Sequence, residues 1–573
     1  MRKRKIVNKE IAPDEIFLDS SNLPGLNTGR LEGQMERPLS RGIMRFFAVG
    51  AFCVLLILSI QSGNLQLVQG GTLRQRSTNN SLRYIPIFAE RGLIYDRNRV
   101  PLAWNEDDGR AYIDASGFSH VLGYTGLPRE EELVDHFSQQ HLGRSGLERT
   151  YDEALAGKPG IKIIETNAIG DIASEGVVEL PTSGGTIRLT LDARLQQKLF
   201  EIMQQTALDR GFEGGAGVIM DVHTGEIISL VSYPEYRSQT LSRGDDAKQI
   251  ATWNADPAKP FLHRAIAGVY TPGSIIKPFV ALTALYFSII SPDTEIYSSG
   301  YIDIPNPYDD TDYTRFNDWK AHGYVDMRRA LAVSSNVYFY EIGGGYKDQK
   351  GIGITRMHDT LSLFGFGKKT DVPLLGEQEG VVPSPAWKAQ VFDGEDWLVG
   401  DTYYTAIGQF GFGVTAIQMA RATAALATNG AVIVPRLLSQ IEDVRETQLL
   451  GGFLDSRGKD LSDGSVKKIA DLPFNTKDFL VVQEGMRLAV LEGSAAGLSI
   501  PDIPIAAKTG TAELGVSKQK VNSWVIGYWP YQEPQYAFAV VMEKGSRKNV
   551  IGGVSVMRTL FDWMRTNTPE YVK

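Results

Sequence analysis

The run from Phe46 to Ile60, FFAVGAFCVLLILSI, carries no charge, and no charged side chain follows it until Arg74. With its weakly polar continuation it reaches the ~20 residues that cross a bilayer as a helix. A cleaved signal peptide would begin nearer the N-terminus and end in a small-residue cleavage site, neither of which is present. A buried core helix is the other rival, but few such helices are apolar on every side. Arg2, Lys3, Arg4, Lys5, Lys9, Arg37, Arg41 and Arg45 all precede the run. By the positive-inside rule they hold the N-terminus in the cytoplasm and place everything after about residue 66 outside. The expected anchor is a single transmembrane helix at 44–66, preceded by a polar cytoplasmic tail, residues 1–43, interrupted by Pro13, Pro24 and Pro38.

The remainder has enough chain for two or three packed domains, at 573 residues of which 43% are hydrophobic and 22% charged. A net charge of −8 leaves no basic field, which argues against nucleic acid as a partner. Cys53 is the only cysteine, so no intramolecular disulfide and no cysteine-based zinc knuckle can form. Residues 67–210 mix short apolar alternations with glycine-bearing turns, including Glu90-Arg91-Gly92 and Gly143-Arg144-Ser145-Gly146, and read as an irregular β-containing module. A helix of about four turns closes it, with Leu195, Leu199, Ile202 and Met203 at helical spacing behind a candidate N-cap at Asp192.

Residues 211–573 open on a hairpin pattern, in which Ala216 to Asp221 and Glu226 to Val231 flank the turn His223-Thr224-Gly225. Three further strands are expected at Ile505 to Thr511, Trp524 to Trp529 and Tyr536 to Met542, with helices at Ile275 to Tyr286, Ile417 to Ala427 and Phe479 to Leu491. Strands at both ends with helices between predict one domain whose sheet joins its first and last segments.

Three short elements in this region carry candidate chemistry. In Thr271-Pro272-Gly273-Ser274-Ile275-Ile276-Lys277-Pro278 a turn leads into an apolar helix, and Ser274 and Lys277 are three apart on one face. A serine there also sits at the positive end of the helix dipole, although alone it reads more simply as a cap. Ser334-Ser335-Asn336 interrupts an apolar stretch, and its polar groups need partners if buried. Helix capping is the commoner use of such residues. In Lys508-Thr509-Gly510-Thr511 the two threonines share a strand face, and glycine lets a ligand approach the backbone. The plainer reading is an edge strand guarded by a lysine. Taken together and in this order, S-x-x-K, S-x-N and K-T-G are the signature of serine acyl-enzymes.

On these motifs the chain resembles the penicillin-binding proteins of class B, the monofunctional transpeptidases. Arg91-Gly92-Leu93-Ile94-Tyr95-Asp96-Arg97-Asn98, Gly146-Leu147-Glu148, Leu189-Thr190-Leu191-Asp192, Gly408-Gln409 and Thr511-Ala512-Glu513 look like further family blocks. Asp318-Trp319-Lys320 and Tyr338-Phe339-Tyr340 are most similar to the elongation-type, penicillin-binding protein 2 branch. Arg99 and Phe410 depart from the pattern, since glycine is common at both positions.

The resemblance implies an α+β multidomain fold: a transmembrane helix, a pedestal at 67–210, and a penicillin-binding/β-lactamase-like transpeptidase domain at 211–573, with a central antiparallel sheet and helices. It implies Ser274 as nucleophile, Lys277 as base, Ser334 and Asn336 as proton relay and amide holder, and Lys508, Thr509, Gly510 and Thr511 as the carboxylate site. Backbone N–H groups of Ser274 and Thr511 would form the oxyanion hole. Stem peptides of peptidoglycan are then the substrate and β-lactams covalent inhibitors, with a SEDS-family glycan polymerase of the RodA type as membrane partner and no cofactor. Some elongation-type members hold zinc near the active site, and His322, Asp310 and Asp318 resemble remnants of that site. The cysteine it would need is missing, so no metal is expected. A β-lactamase, a D,D-carboxypeptidase, a division-type enzyme and a non-catalytic scaffold are the alternatives.

Overall fold

The computed structural model describes residues 41–573 apart from 108, 134–136, 167–170, 307–308, 443–465, 516–518 and 548–551. Residues 1–40 of the expected tail lie outside the described residues. The chain divides into two compact units, Met1–Tyr84 with Ile163–Glu175, and Ile85–Lys162 with Gly176–Lys573.

The first unit contains helix α1 (Arg41–Gly63), none of whose residues is buried. Helical structure continues to Val68, giving 28 residues long and apolar enough to cross a membrane. That is about 42 Å at the α-helical rise, more than a bilayer's hydrocarbon core. Among the described residues no other helix meets that standard. An unpacked helix that is apolar all round suits lipid rather than water.

The elements that frame the catalytic region are, in chain order, α2 (Ala193–Arg210), β1 (Gly214–Asp221), β2 (Ile227–Tyr233), α3 (Lys277–Tyr286), α4 (Met327–Val333), α5 (Asn336–Gly344), α6 (Ala416–Ala427), α7 (Thr476–Glu492), β3 (Ala506–Leu514), β4 (Lys520–Trp529), β5 (Tyr536–Ser546) and α8 (Gly553–Asn567). Strands β1 to β5 make one antiparallel sheet in the order β2-β1-β5-β4-β3, joining both ends of the region as the strand pattern predicts. The hairpin turn is held by Asp221, whose Oδ1 accepts from the N–H groups of His223 and Thr224 at 2.9 and 2.8 Å, with Gly225 at φ 74°.

Both faces of this sheet are covered, and period-2 alternation sorts the side chains between two cores. Val218, Met220, Ala537, Ala539 and Val541 point to the core shared with α3 and α6. Ile219, Phe538, Val540 and Met542 point to the core that α2 and α8 close. This double burial is why the strands read as continuous apolar runs. Helix α2 is longer than its apolar spacing predicts, and Asp192 is its N-cap, accepting from Arg194 N.

Ahead of α2, a second sheet of five strands has the order Leu438–Glu442, Thr186–Leu189, Ile94–Tyr95, Pro101–Glu106, Gly109–Tyr112. Its outer strand comes from a segment some 250 residues downstream of its neighbour, through the register Gln440 to Arg188 and Ile441 to Ile187. Beside it Glu148, fully buried, accepts from Arg91 Nε at 2.6 Å and Arg110 Nε at 2.7 Å, and Arg91 also reaches Asp152 at 2.7 Å. Arg99 and Phe410, which stand where glycine is common, both have left-handed backbones, φ 64° and φ 58°. Glycine populates that region without strain, so backbone geometry accounts for its frequency at both positions.

Candidate active site

Ser274 sits in a tight turn, Gly273–Ile276, of the 3₁₀ type that runs directly into α3. In such a turn residues i and i+3 eclipse, which aligns Ser274 with Lys277 more closely than an α-helix would. Pro272 precedes the turn and Pro278 occupies the first turn of α3, where a missing N–H costs nothing. Gly273 is left-handed at φ 59° and its N–H donates to Gly408 O at 2.9 Å. Gly408 is equally constrained, because a Cβ there would lie 2.3 Å from Gly273 O. The turn is thus clamped from behind, with Ser274 half-buried and no hydrogen bond to its Oγ among the described residues.

Strand β3 is the sheet edge that meets this turn. A Cβ on Gly510 would approach Pro272 O to 2.8 Å and Ile275 N to 3.2 Å, so the glycine permits the close approach. Thr509 is half-buried and Thr511 exposed on one face of β3, whereas Lys508 on the other is fully buried. Lys508 Nζ donates to Thr509 O at 3.0 Å, and Thr509 Oγ1 to Ser494 Oγ at 2.8 Å.

Lys277 ties in the second motif. Its Nζ donates to Ser334 O at 2.8 Å and to Asn336 Oδ1 at 2.7 Å, with Ser334 Oγ at 3.4 Å. It is fully buried, and burial lowers its pKa to about 7 against the opposing pull of Asp318. Burial also holds Lys508 well below the usual lysine range, and the charge of Lys277 lowers it further. Burial is thus the main cause of both shifts, and two neighbouring lysines also disfavour each other's charged form. Ser334 is left-handed at φ 59° and ends α4, and Ser335 is the N-cap of α5, accepting from Tyr338 N.

All eight expected site residues, Ser274, Lys277, Ser334, Asn336, Lys508, Thr509, Gly510 and Thr511, thus gather around one turn. The arrangement offers an untethered hydroxyl, a buried amine able to accept a proton near neutrality, and an edge strand with open backbone. Sequence reasoning singled out Ser335, which caps a helix as that reading allows, but missed Ser494 and the contact that joins Ser335 to Asp318. Asp318 Oδ2 accepts from Ser335 Oγ at 2.8 Å and from the N–H groups of Asn336 and Val337 at 2.7 and 3.0 Å. The signal was present as a buried-type carboxylate a short span before the S-x-N element, but nothing local links the two.

Of the three zinc-site remnants, the side chains of His322 and Asp318 are described, and His322 Nε2 is buried without a hydrogen-bond partner. His322 Nε2 lies 3.7 Å from Asp318 Oδ1, and the Asp310 side chain lies outside the described residues. Among the described residues no three His, Cys, Asp or Glu side chains gather as ligands. The Asp318 oxygens are engaged by hydroxyl and amide donors, and the two side chains of this set among the described residues are fewer than the four ligands of a structural zinc site.

With this geometry established, comparison with known proteins gives the class. Residues 215–557 match the family model of the penicillin binding protein transpeptidase domain, and residues 104–189 that of the penicillin-binding protein dimerisation domain. The chain belongs to the penicillin-binding protein transpeptidase family. A peptidoglycan D,D-transpeptidase MrdA from Acinetobacter baumannii is 28% identical, over 94% of this chain and 90% of that protein. The crystal structure of Pseudomonas aeruginosa PBP2 in complex with WCK 5153 is similar at a TM-score of 0.70 and 28% identity, covering 86% of this chain and 98% of that one. Helicobacter pylori PBP2, in a complex with MreC, matches at a TM-score of 0.67 and 26% identity, covering 84% of this chain and 99% of that one.

Proposed function

We propose that the chain is a membrane-anchored peptidoglycan D,D-transpeptidase of the elongation type, acting through an acyl-enzyme on Ser274. The observation that carries this reading is Lys277, buried and lowered to about 7, held by Ser334 and Asn336 one turn from an untethered serine hydroxyl. Ser274 Oγ attacks the carbonyl between the last two D-alanines of a stem peptide and passes its proton to Lys277 Nζ. The C–N bond breaks, and D-alanine leaves with a proton relayed through Ser334. An amine of a neighbouring stem then attacks the ester, releases Ser274 and forms the cross-link. Asn336 holds the substrate amide, and Thr509 and Thr511 bind its terminal carboxylate. Lys508 lies behind them, where an arriving carboxylate favours its charged form. Backbone N–H groups of Ser274 and Thr511 make the oxyanion hole, a contribution of roughly 3 kcal/mol per donor in comparable sites. A β-lactam carbonyl would enter by the same route and stop at the ester.

The basic residues before the apolar helix favour a cytoplasmic N-terminus and an extracytoplasmic catalytic region in the cytoplasmic membrane. Residues 67–210 form the pedestal, 211–573 the catalytic domain. The pedestal and anchor suit docking to a SEDS-family polymerase of the RodA type, and the complex of the Helicobacter pylori relative with MreC supports an MreC-type protein as a second partner. Labelling with a fluorescent penicillin tests the nucleophile: Ser274→Ala abolishes it, and retained labelling would overturn the assignment. Mass spectrometry of products from a purified stem peptide plus an acceptor amine tests the reaction, with dimer expected and free tetrapeptide alone pointing to a carboxypeptidase.

A further inference from the structure

Asp318 lies in none of the three motifs, yet hydrogen-bond donors converge on both of its oxygens. Besides Ser335 Oγ and the N–H groups of Asn336 and Val337, Oδ2 accepts from Ser298 Oγ at 3.3 Å, and Oδ1 accepts from Trp319 N at 2.8 Å. The carboxylate is fully buried. Asn336 and Val337 open α5, and their N–H groups have no partner inside the helix. A carboxylate there satisfies both and sits at the favourable end of the dipole. The same contacts brace a strained point, since Ser334 adopts φ 59° and a non-glycine residue persists there only when its surroundings fix it. On the opposite side of this turn, Ser334 O and Asn336 Oδ1 are the two nearest acceptors of the Lys277 ammonium.

We propose that Asp318 is a positioning residue of the catalytic centre, fixing from behind the Ser334-Ser335-Asn336 turn the two groups that hold Lys277. The proposal rests on the roles given above to Ser274 and Lys277. Hydrogen bonds to one buried carboxylate supply the rigidity. Asp318 acts through charge as well as geometry. Lys277 is faced by Lys508 from β3, by Asp318 and His322 from the loop before α4, and by the Phe339 ring of α5 at 5.4 Å. Of these, Asp318 is the one carboxylate that pulls on its proton, and it opposes the effect of burial. Removing that charge makes Lys277 easier to deprotonate.

The test is the rate of acylation by fluorescent penicillin against pH, on the full chain in detergent, for Asp318→Asn, Ser335→Ala and Ser335→Thr. In Asp318→Asn the maximal rate falls about tenfold, and the acid limb moves to lower pH by about one unit, the small end of the effect of an opposite charge. Ser335→Ala loses a hydrogen bond to Asp318 and keeps the charge, so its rate falls severalfold with the limb unmoved, and Ser335→Thr restores the rate. An acid limb at the wild-type position in Asp318→Asn would overturn the proposal. If Asp318→Asn does not fold, wild-type rates in Ser335→Ala would overturn it equally. Failure of the wild-type chain to label at all would instead sink the underlying reading of Ser274.

Discussion

Two buried clusters of charge in this protein are built on opposite plans. In the region ahead of α2, proposed above as the pedestal, Glu148 is enclosed by Arg91 and Arg110, both at hydrogen-bond distance, and Asp152 completes the balance at Arg91. Burial would raise the Glu148 pKa, but the two guanidinium groups outweigh it and hold the carboxyl below its usual range. In the catalytic centre, Lys277 and Lys508 are both fully buried, yet neither forms an ion pair among the described residues. Burial prevails there, and both amines are driven towards the neutral form. Charges that are paired fix a structure. Charges that are buried without a partner are available for proton transfer.

The comparison can be broken first at Lys277. Lys277→Ala should slow acylation by penicillin by about 10²–10⁴-fold, the usual weight of a general base. It should leave the fold intact, because the amine removed has hydrogen bonds to Ser334 and Asn336 but no carboxylate partner among the described residues. A stopped-flow acylation trace and a melting curve on the same preparation check both halves, and a collapsed fold would show that Lys277 is structural. Glu148 should behave in the opposite way. Glu148→Gln leaves two buried guanidinium groups without their carboxylate and should destabilise the chain by about 3–5 kcal/mol. The fraction that remains folded should still acylate at the wild-type rate. A variant as stable as wild type would remove the pedestal network from any structural role.

The two plans also separate with pH. Acylation should rise through about pH 7 as Lys277 loses its proton, and flatten above. Stability should follow two further windows. A lysine at about 7 in the folded chain and 10.5 unfolded binds fewer protons when folded, so stability climbs with pH between those values. Glu148 has a depressed folded pKa, so its contribution is present above its unfolded value and is lost as pH falls through the folded one. Melting temperature measured across this range should rise from pH 7 to 10, less steeply in Lys277→Ala, and should drop in acid by less in Glu148→Gln.

How far the sequence reveals this arrangement depends on the range of the information. The apolar span, the Asp192 cap, the hairpin at Gly225 and the strands β3, β4 and β5 were all legible, because periodicity and turn chemistry are local. Ser274 with Lys277 was legible for the same reason, since their spacing already sets a shared face. The union of the three motifs was legible only through resemblance. No local rule brings Gly510 against Pro272 or Gly408 against Gly273, and those approaches appear only as backbone contacts too close for a side chain. The contact between Asp318 and Ser335 was hidden because a hydrogen bond between separate segments leaves no periodic trace. The strand Leu438–Glu442 was missed for a similar reason, since its partner Thr186–Leu189 lies far away in the chain.

Arg99 and Phe410 carry the comparison to its smallest effects, because both pay for left-handed backbone without glycine. Phe410 has a reason to stay. Its ring stacks on Phe392 at 5.9 Å and meets Trp387 and Trp397 at 5.9 and 5.6 Å, with Lys388 Nζ at 5.7 Å. Phe410→Gly should therefore destabilise by about 1–2 kcal/mol, since the aromatic contacts outweigh the strain relieved. It should also slow acylation modestly, two residues from the Gly408 clamp. Arg99 is exposed, in the turn closed by its own N–H to Asp96 O at 3.1 Å. Arg99→Gly should relieve the same strain without giving up an aromatic cluster, and should stabilise by at most about 0.5 kcal/mol once the extra entropy of glycine and the loss of the side chain's own interactions are set against it. Opposite signs in the two melting curves would mean that the same backbone departure is retained at Phe410 for packing and merely tolerated at Arg99. Equal signs would dissolve that distinction.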